Sequence, residues 1–160
     1  MNPTVNKSDF EDLTTNLRDL AYSYLEKYNP SKQQLKVYLL KKYLTKIKGT
    51  KSKKEVTAII DEIIVNLENN KILNDEMYSD SKARMFLRRG YSLNKINQSL
   101  RNKGIDNKYI KQSIDKIKED EIEPDFVSAL KLCKRRRIGP IRPEDNRELF
   151  YKKEMGMLAR

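Results

Sequence analysis

An enzyme needs a nucleophile, a proton carrier or an anchored metal, and this 160-residue chain is poor in all three. It contains no histidine, which removes the usual general base near neutral pH, a Ser-His-Asp arrangement and His-based zinc sites. Cys133 is the single cysteine. Lys134 and Arg135 beside it make a neighbourhood that can activate a thiol, but a lone cysteine on an apolar helix face is packing rather than nucleophile. The segment Gly49-Thr50-Lys51-Ser52 resembles a phosphate loop only superficially. It lacks the adjacent Gly-Lys and the earlier glycine, no strand precedes it, and it reads as a flexible joint. The acidic cluster Glu119-Asp120-Glu121 with Glu123 reads as a solvated linker rather than a magnesium site. The expectation is a protein that is not an enzyme, with no catalytic residue, no cofactor and no metal.

The chemistry that remains is charge. The formal net charge is +11, and it is unevenly placed. Residues 1–80 hold 13 basic and 12 acidic residues, whereas residues 81–160 hold 21 and 11. A basic half predicts an anionic partner: nucleic acid, an acidic protein surface or a membrane surface. The Lys-only run from Lys32 to Lys54 is read equally well as a solvated face. Arginine carries a planar fork suited to bidentate contact with phosphate or carboxylate, so Arg88, Arg89, Arg135, Arg136 and Arg137 are the stronger contact candidates. Tyr91 and Tyr109 interleave with the basic residues, but tyrosines at these spacings belong to module core or interface rather than to base-stacking platforms.

The elements that must position these residues are helices. The composition is 36% charged and 38% hydrophobic, with no tryptophan, which suits helices with narrow apolar stripes and argues against sheet. Residues 1–12 are polar and read as a flexible tail. Leu17, Leu20, Ala21, Tyr24, Leu25 and Tyr28 then mark one face of an amphipathic helix. Asn29-Pro30 breaks it, and Ser31-x-x-Gln34 forms a capping box for a helix burying Leu35, Tyr38, Leu39 and Tyr43. Ser52-x-x-Glu55 caps a third, whose stripe is Val56, Ile59, Ile60, Ile63, Ile64 and Leu67. These make a first three-helix module, residues 13–71.

The stretch from Ile72 to Ile114 organises the chain. Asn74-Asp75 starts a helix running to about Arg88, and Gly90 stops it. Ser92 caps a second with Ile96 and Leu100, and Gly104 ends that one before a third restarts near Asp106 with Ile110 and Ile114. None is long enough to be stable alone. Shifting the sequence by 61 residues places Ser31 on Ser92, Leu35 on Ile96, Leu39 on Leu100, Lys42 on Lys103 and Leu25 on Phe86. The expected fold is therefore all-α: tandem three-helix, helix-turn-helix-like modules in an extended, curved array. The second module is residues 72–118 and the acidic linker 119–123. An incomplete third occupies 124–160, with Phe126, Ala129, Leu130 and Cys133 on one helix face, then a basic loop and a helix from about Asn146.

Those residues carry a resemblance. From ILNDEMY through RRGYSLNKINQSLRNKGID the middle module resembles the RecX family of recombinase regulators without gaps, at Leu73-Asn74-Asp75, Tyr78, Arg88-Arg89-Gly90-Tyr91, Ile96, Leu100 and Lys103-Gly104. LAYSYLEKYNPSKQQLKVYLLKKY is similar to the family's opening module, and ALKLCKRRRIG with MLAR to its last. Lys82 stands in a usually apolar place, Ser92-Leu93 replaces a common Gly-Pro, and an expected final helix is missing. The resemblance implies a monomeric cytoplasmic regulator bound in the groove of a RecA–single-stranded DNA filament. It would modulate, usually inhibit, the filament's ATPase, strand-exchange and coprotease activities in DNA repair, homologous recombination and the SOS response. Arg88, Arg89, Lys95, Arg101 and Lys103, helped by Arg135, Arg136 and Arg137, are the expected contacts to filament and DNA, with weak non-specific duplex binding besides.

The competing reading is a helix-turn-helix-like protein acting directly on duplex DNA. The helix of Ile96 and Leu100 offers Lys95, Gln98, Arg101 and Asn102 outward for a groove. Basic residues in all three modules favour the array. A membrane partner is disfavoured, because no apolar run approaches a span and no apolar face beside the arginines looks free of core packing.

Overall fold

A computed structural model describes residues 7–47 and 52–159. Among them eight α-helices follow one another, with no strand: α1 (Lys7–Lys27), α2 (Lys32–Lys42), α3 (Lys53–Asn69), α4 (Asp75–Arg88), α5 (Leu93–Arg101), α6 (Asn107–Asp120), α7 (Pro124–Arg136) and α8 (Arg147–Leu158). A π-helical turn, Tyr43–Ile47, prolongs α2, and 3₁₀ turns at Gly139–Ile141 and Glu144–Asn146 join α7 to α8. The all-α expectation holds. Among the described residues no helix is long and apolar enough to cross a membrane. The chain divides into two compact units, Met1–Tyr78 and Ser79–Arg160, with the boundary inside α4. Helix α1 already begins at Lys7, within the stretch read as a flexible tail; residues 1–6 and the Gly49–Lys51 joint lie outside the described residues.

In the first unit the expected stripes close on one another. Both capping boxes form: Ser31 Oγ accepts from Gln34 N while Gln34 Oε1 accepts from Ser31 N, and Ser52 and Glu55 reciprocate in the same way. Such caps answer amide groups that a helix start leaves without partners. Leu17, Ala21, Leu35, Leu39, Tyr43 and all six residues of the α3 stripe are buried. Each large aliphatic side chain so removed from water contributes on the order of 1.5–3 kcal/mol. The end of α1 departs from its stripe: Tyr28 is exposed. Tyr24 stacks on Tyr38 at 3.9 Å, so the α1–α2 contact is completed one turn earlier and Tyr28 only leans on Tyr24 at 5.0 Å. The first turn of α4 is held here too. Asp75 Oδ1 accepts from Lys32 N at 2.9 Å, and the Tyr78 hydroxyl donates to Gln34 Oε1 at 2.9 Å.

The second unit begins where α4 continues past Tyr78. Asn74 Oδ1 accepts from Met77 N to start that helix, and Gly90, at φ 78°, ends it. Ser92 Oγ accepts from Lys95 N, and Asp106 from Lys108 N, to start α5 and α6. Ile96 and Leu100 are fully buried, with Ile105, Ile110 and Ile117 nearly so. On α6 the buried positions are Ile110, Ser113 and Ile117, while the expected Ile114 is half-buried. The face turns because Ser113 Oγ joins a polar cluster, within hydrogen-bond distance of Ser79 Oγ, Asp80 Oδ1 and the Tyr109 carbonyl and donating its one proton to a single one of them, with Lys116 on the same Asp80.

Helix α7 also turns away from expectation. Phe126 and Leu130 are exposed, Ala129 and Cys133 half-buried, and the fully buried residue is Ser128. The Gly90 turn decides this. A Cβ on Gly90 would meet the Ser128 carbonyl oxygen at 2.9 Å and Leu132 N at 3.1 Å, so position 90 has no room for a side chain and the turn packs on the Ser128–Leu132 backbone, which sets the face of those two residues, rather than that of Phe126 and Leu130, against it. Past α7, Ile138 is buried, and Glu154 of α8 accepts from Gly139 N at 2.8 Å and from Arg142 Nε, fastening the basic loop to α8. The Gly139 amide, and behind it the Arg142 guanidinium, hold the Glu154 carboxyl below the usual glutamate range against its burial.

Ile63→Ala in α3 and Leu100→Ala in α5 should each cost about 2–5 kcal/mol, read as lower denaturant midpoints for both variants; unchanged midpoints would show that these faces are not core. A second expectation concerns acid. Burial pushes Asp80 up, but the Lys116 and Ser113 hydrogen bonds and the Lys116 and Arg84 charges together hold it below the ordinary aspartate value. A depressed carboxyl stabilises the fold at neutral pH and loses that contribution as pH falls through its folded value. Asp75 is raised, by burial first, against the Lys32 amide and charge, so its contribution has the opposite sign. Asp80→Asn should therefore flatten the stability loss between neutral pH and pH values below the aspartate range, and Asp75→Asn should steepen it, both measured by denaturation at the two pH values.

Candidate functional site

No three of Cys, Asp and Glu stand together as a metal-holding group among the described residues. In the acidic stretch Asp120 pairs with Arg84 at 2.9 Å and Glu121 approaches Lys131 at 3.9 Å. Cys133 is half-buried, and Ser52 serves as a cap.

The arginines of the second unit fall into two sets. Arg84, Arg142 and Arg147 are used internally: on Asp120, on Glu154, and on Glu144 with the Pro140 and Arg142 carbonyls. Arg88, Arg89, Arg101, Arg135, Arg136 and Arg137 are all exposed, and among the described residues no carboxylate pairs with any of them. A guanidinium is weakly hydrated and presents five donors in a rigid fork. Six of them left open on one small unit offer anion contacts that the fold itself does not consume. Lys95 is exposed, with Nζ 5.9 Å from the Tyr91 ring centre. Lys103 is half-buried and engaged within the protein.

The positions of these side chains follow from how the helices end. Arg88 sits in the last turn of α4, where a cation complements the helix dipole, and Arg89 follows it before the Gly90 turn. Tyr91 stacks parallel on Phe86 at 5.1 Å, which anchors the turn, as expected of a core or interface tyrosine. Helix α7 ends with Arg137 in the left-handed region, φ 51°. The Ile138 amide reaches the Cys133 carbonyl there, and the conformation costs a non-glycine residue on the order of 1 kcal/mol.

Between the Gly90–Ser92 turn, the start of α5, α7 and the end of α8 lies a hollow of about 480 Å³. Of the residues expected as contacts it brings together Lys95, Arg135 and Arg136, with Tyr91 on the same wall. Arg88, Arg89, Arg101, Lys103 and Arg137 do not line it. Three lining residues went unnoticed as site residues. Asn94 is exposed at the start of α5. Asp125 Oδ1 accepts from Leu93 N at 2.6 Å, and Ser128 is buried with its hydroxyl unpartnered. An Asp after a Pro reads in sequence only as a helix-start residue, and Ser128 gives no signal at all, because only the Gly90 approach makes its place special.

Because the six open arginines are exposed and have no carboxylate partner among the described residues, Arg88→Glu with Arg89→Glu should lower the unfolding free energy by no more than about 2 kcal/mol, the helix-dipole cost of two reversed charges at the end of α4. A loss of several times that amount would mean that they hold the fold.

No protein-family model matches the chain, and no solved structure gives a significant match. A curated protein does: the Regulatory protein RecX of Myxococcus xanthus (strain DK1622) is 30% identical over 148 residues, covering 91% of this chain and 78% of that protein. Likeness of that extent, over nearly all of a chain whose turn glycines, caps and buried positions lie where the motifs placed them, shows the relationship and with it a regulatory role. The chain belongs to the RecX family of regulatory proteins.

Proposed function

We propose that the chain is a non-enzymatic, cytoplasmic regulator that binds RecA–single-stranded DNA filaments and alters their ATP hydrolysis, strand exchange and coprotease activity in DNA repair and the SOS response. The observation that carries this reading is the set of exposed arginines on the second unit that pair with no carboxylate among the described residues. The residues assigned to the contact are Arg88, Arg89, Lys95, Arg101 and Lys103, with Arg135, Arg136 and Arg137. Under this reading the modules 13–71, 72–118 and 124–160 act as tandem contact units joined at 119–123. Weak basic contacts joined along one chain add up when a periodic, acidic and phosphate-rich partner matches their spacing, as in any multivalent attachment. The DNA component releases counterions, so binding weakens steeply with salt.

One observation favours a second reading. Lys95, Gln98, Arg101 and Asn102 are all exposed on α5, the outward polar face that a duplex-reading helix would present. The two readings separate in one experiment, co-sedimentation with RecA–single-stranded DNA filaments run beside bare single-stranded and bare duplex DNA at matched salt. Retention on the filament well above either DNA alone, and its loss by about tenfold or more in the Arg88→Glu, Arg89→Glu variant, supports the filament regulator. Equal retention on all three substrates overturns it. Salt-resistant binding to one defined duplex sequence would establish the DNA reader instead.

A further inference from the structure

The hollow beside Gly90 has properties that an extended filament-binding face does not require. It is concave, of a volume in the range of small-ligand sites, and its lining divides by chemistry. Lys95, Arg135 and Arg136 bring three positive charges and Asp125 one negative. Asp125 is already turned to the Leu93 amide at the start of α5, which leaves a surplus of two cationic side chains. Leu132 and Leu158 supply an apolar part of the wall. Neither Arg135 nor Arg136 has a carboxylate partner among the described residues, so a ligand anion would displace no internal ion pair. The walls are also set before any ligand arrives. The Gly90 turn is pressed on the Ser128 backbone, and Tyr91 is stacked on Phe86, so little ordering would be needed on binding.

We propose that this hollow is a phosphomonoester site, taking the terminal phosphate of a nucleotide-sized ligand between Arg135, Arg136 and Lys95. A phosphomonoester carries between 1.5 and 2 negative charges near pH 7, roughly, matching the surplus charge of the lining, whereas an internal phosphodiester carries one. The guanidinium forks supply paired donors to the phosphate oxygens, and the nucleoside part lies against the apolar wall. Two sources offer this chemistry, a free mononucleotide and the 5′-phosphorylated end of a nucleic-acid strand. The site shares Lys95, Arg135 and Arg136 with the filament reading, but it is tested separately, because phosphate recognition in the hollow needs no recombinase.

The test is calorimetric titration of the full chain, at one fixed salt concentration, with inorganic phosphate, adenosine 5′-monophosphate, adenosine, and a short single-stranded oligonucleotide with a 5′-phosphate or a 5′-hydroxyl. Saturable one-to-one binding of the monophosphate or the 5′-phosphorylated strand, with adenosine and the 5′-hydroxyl strand at least tenfold weaker, is the expected result. Binding of the mononucleotide marks a free-nucleotide site, and binding of the phosphorylated strand alone marks a strand-end site. Arg135→Ala with Arg136→Ala should weaken that binding tenfold or more, while Lys152→Ala with Lys153→Ala, which removes the same formal charge from α8 away from the hollow, should change it less than twofold. Absence of saturable binding to any phosphorylated probe, equal binding of the two strands without monophosphate binding, or equal loss in the two double variants overturns the proposal. No filament enters these titrations, so their failure leaves the filament reading to its own experiment.

Discussion

Helices α1 to α6 depend on burying a narrow apolar stripe, because a chain with 36% charged residues has little apolar surface to spend. Helices of nine to 21 residues are marginal by themselves in water, so their ends have to be right. Ser31, Ser52, Ser92 and Asp106 each answer amide groups at a helix start, and pairs such as Ile96 and Leu100, four residues apart, are fully removed from solvent. Caps and stripes recur at positions that correspond after a shift of 61 residues, with Ser31, Leu35 and Leu39 in the first unit playing the local parts of Ser92, Ile96 and Leu100 in the second.

The second unit divides its charges. Asp80, Asp120, Glu144 and Glu154 are taken up by Lys116, Arg84, Arg147 and Arg142. Those pairs tie helices and the loop before α8 together, although the more exposed of them add little stability. Among the described residues, the arginines at the end of α4 and the end of α7 have no such partner. An arginine retained without an internal ion pair is available to an external anion at no cost to the fold, and this separation suits a regulator that works by attachment.

Local signals in the sequence were sufficient for most of this structure. The helix starts at Ser31, Ser52, Asn74, Ser92 and Asp106, the stops at Gly90 and Gly104, and the α3 stripe each follow from residues within one or two turns of one another, and they were legible because capping and helical periodicity are short-range effects. The family was legible for the same reason, as runs such as RRGYSLNKINQSLRNKGID combine those signals in order. For the arginines proposed as contacts, type and clustering along the chain are read from the sequence.

Only the tertiary structure decided which way α7 faces, where the α6 stripe lies, and which arginines meet. Phe126 and Leu130 have the spacing of a core pair, but the Gly90 turn packs on the α7 backbone at Ser128 and Leu132, and Phe126 and Leu130 are left exposed. Ser113 outranks Ile114 on α6 because its hydroxyl finds Asp80, 33 residues away in the chain. Lys95 and Arg135 are 40 positions apart and share a hollow through the packing of the α4–α5 turn on α7. Contacts between residues so distant in sequence leave no periodicity behind. They are set by which side chains fit against one another in three dimensions, and that information is carried by the packed units and by no single stretch of the chain.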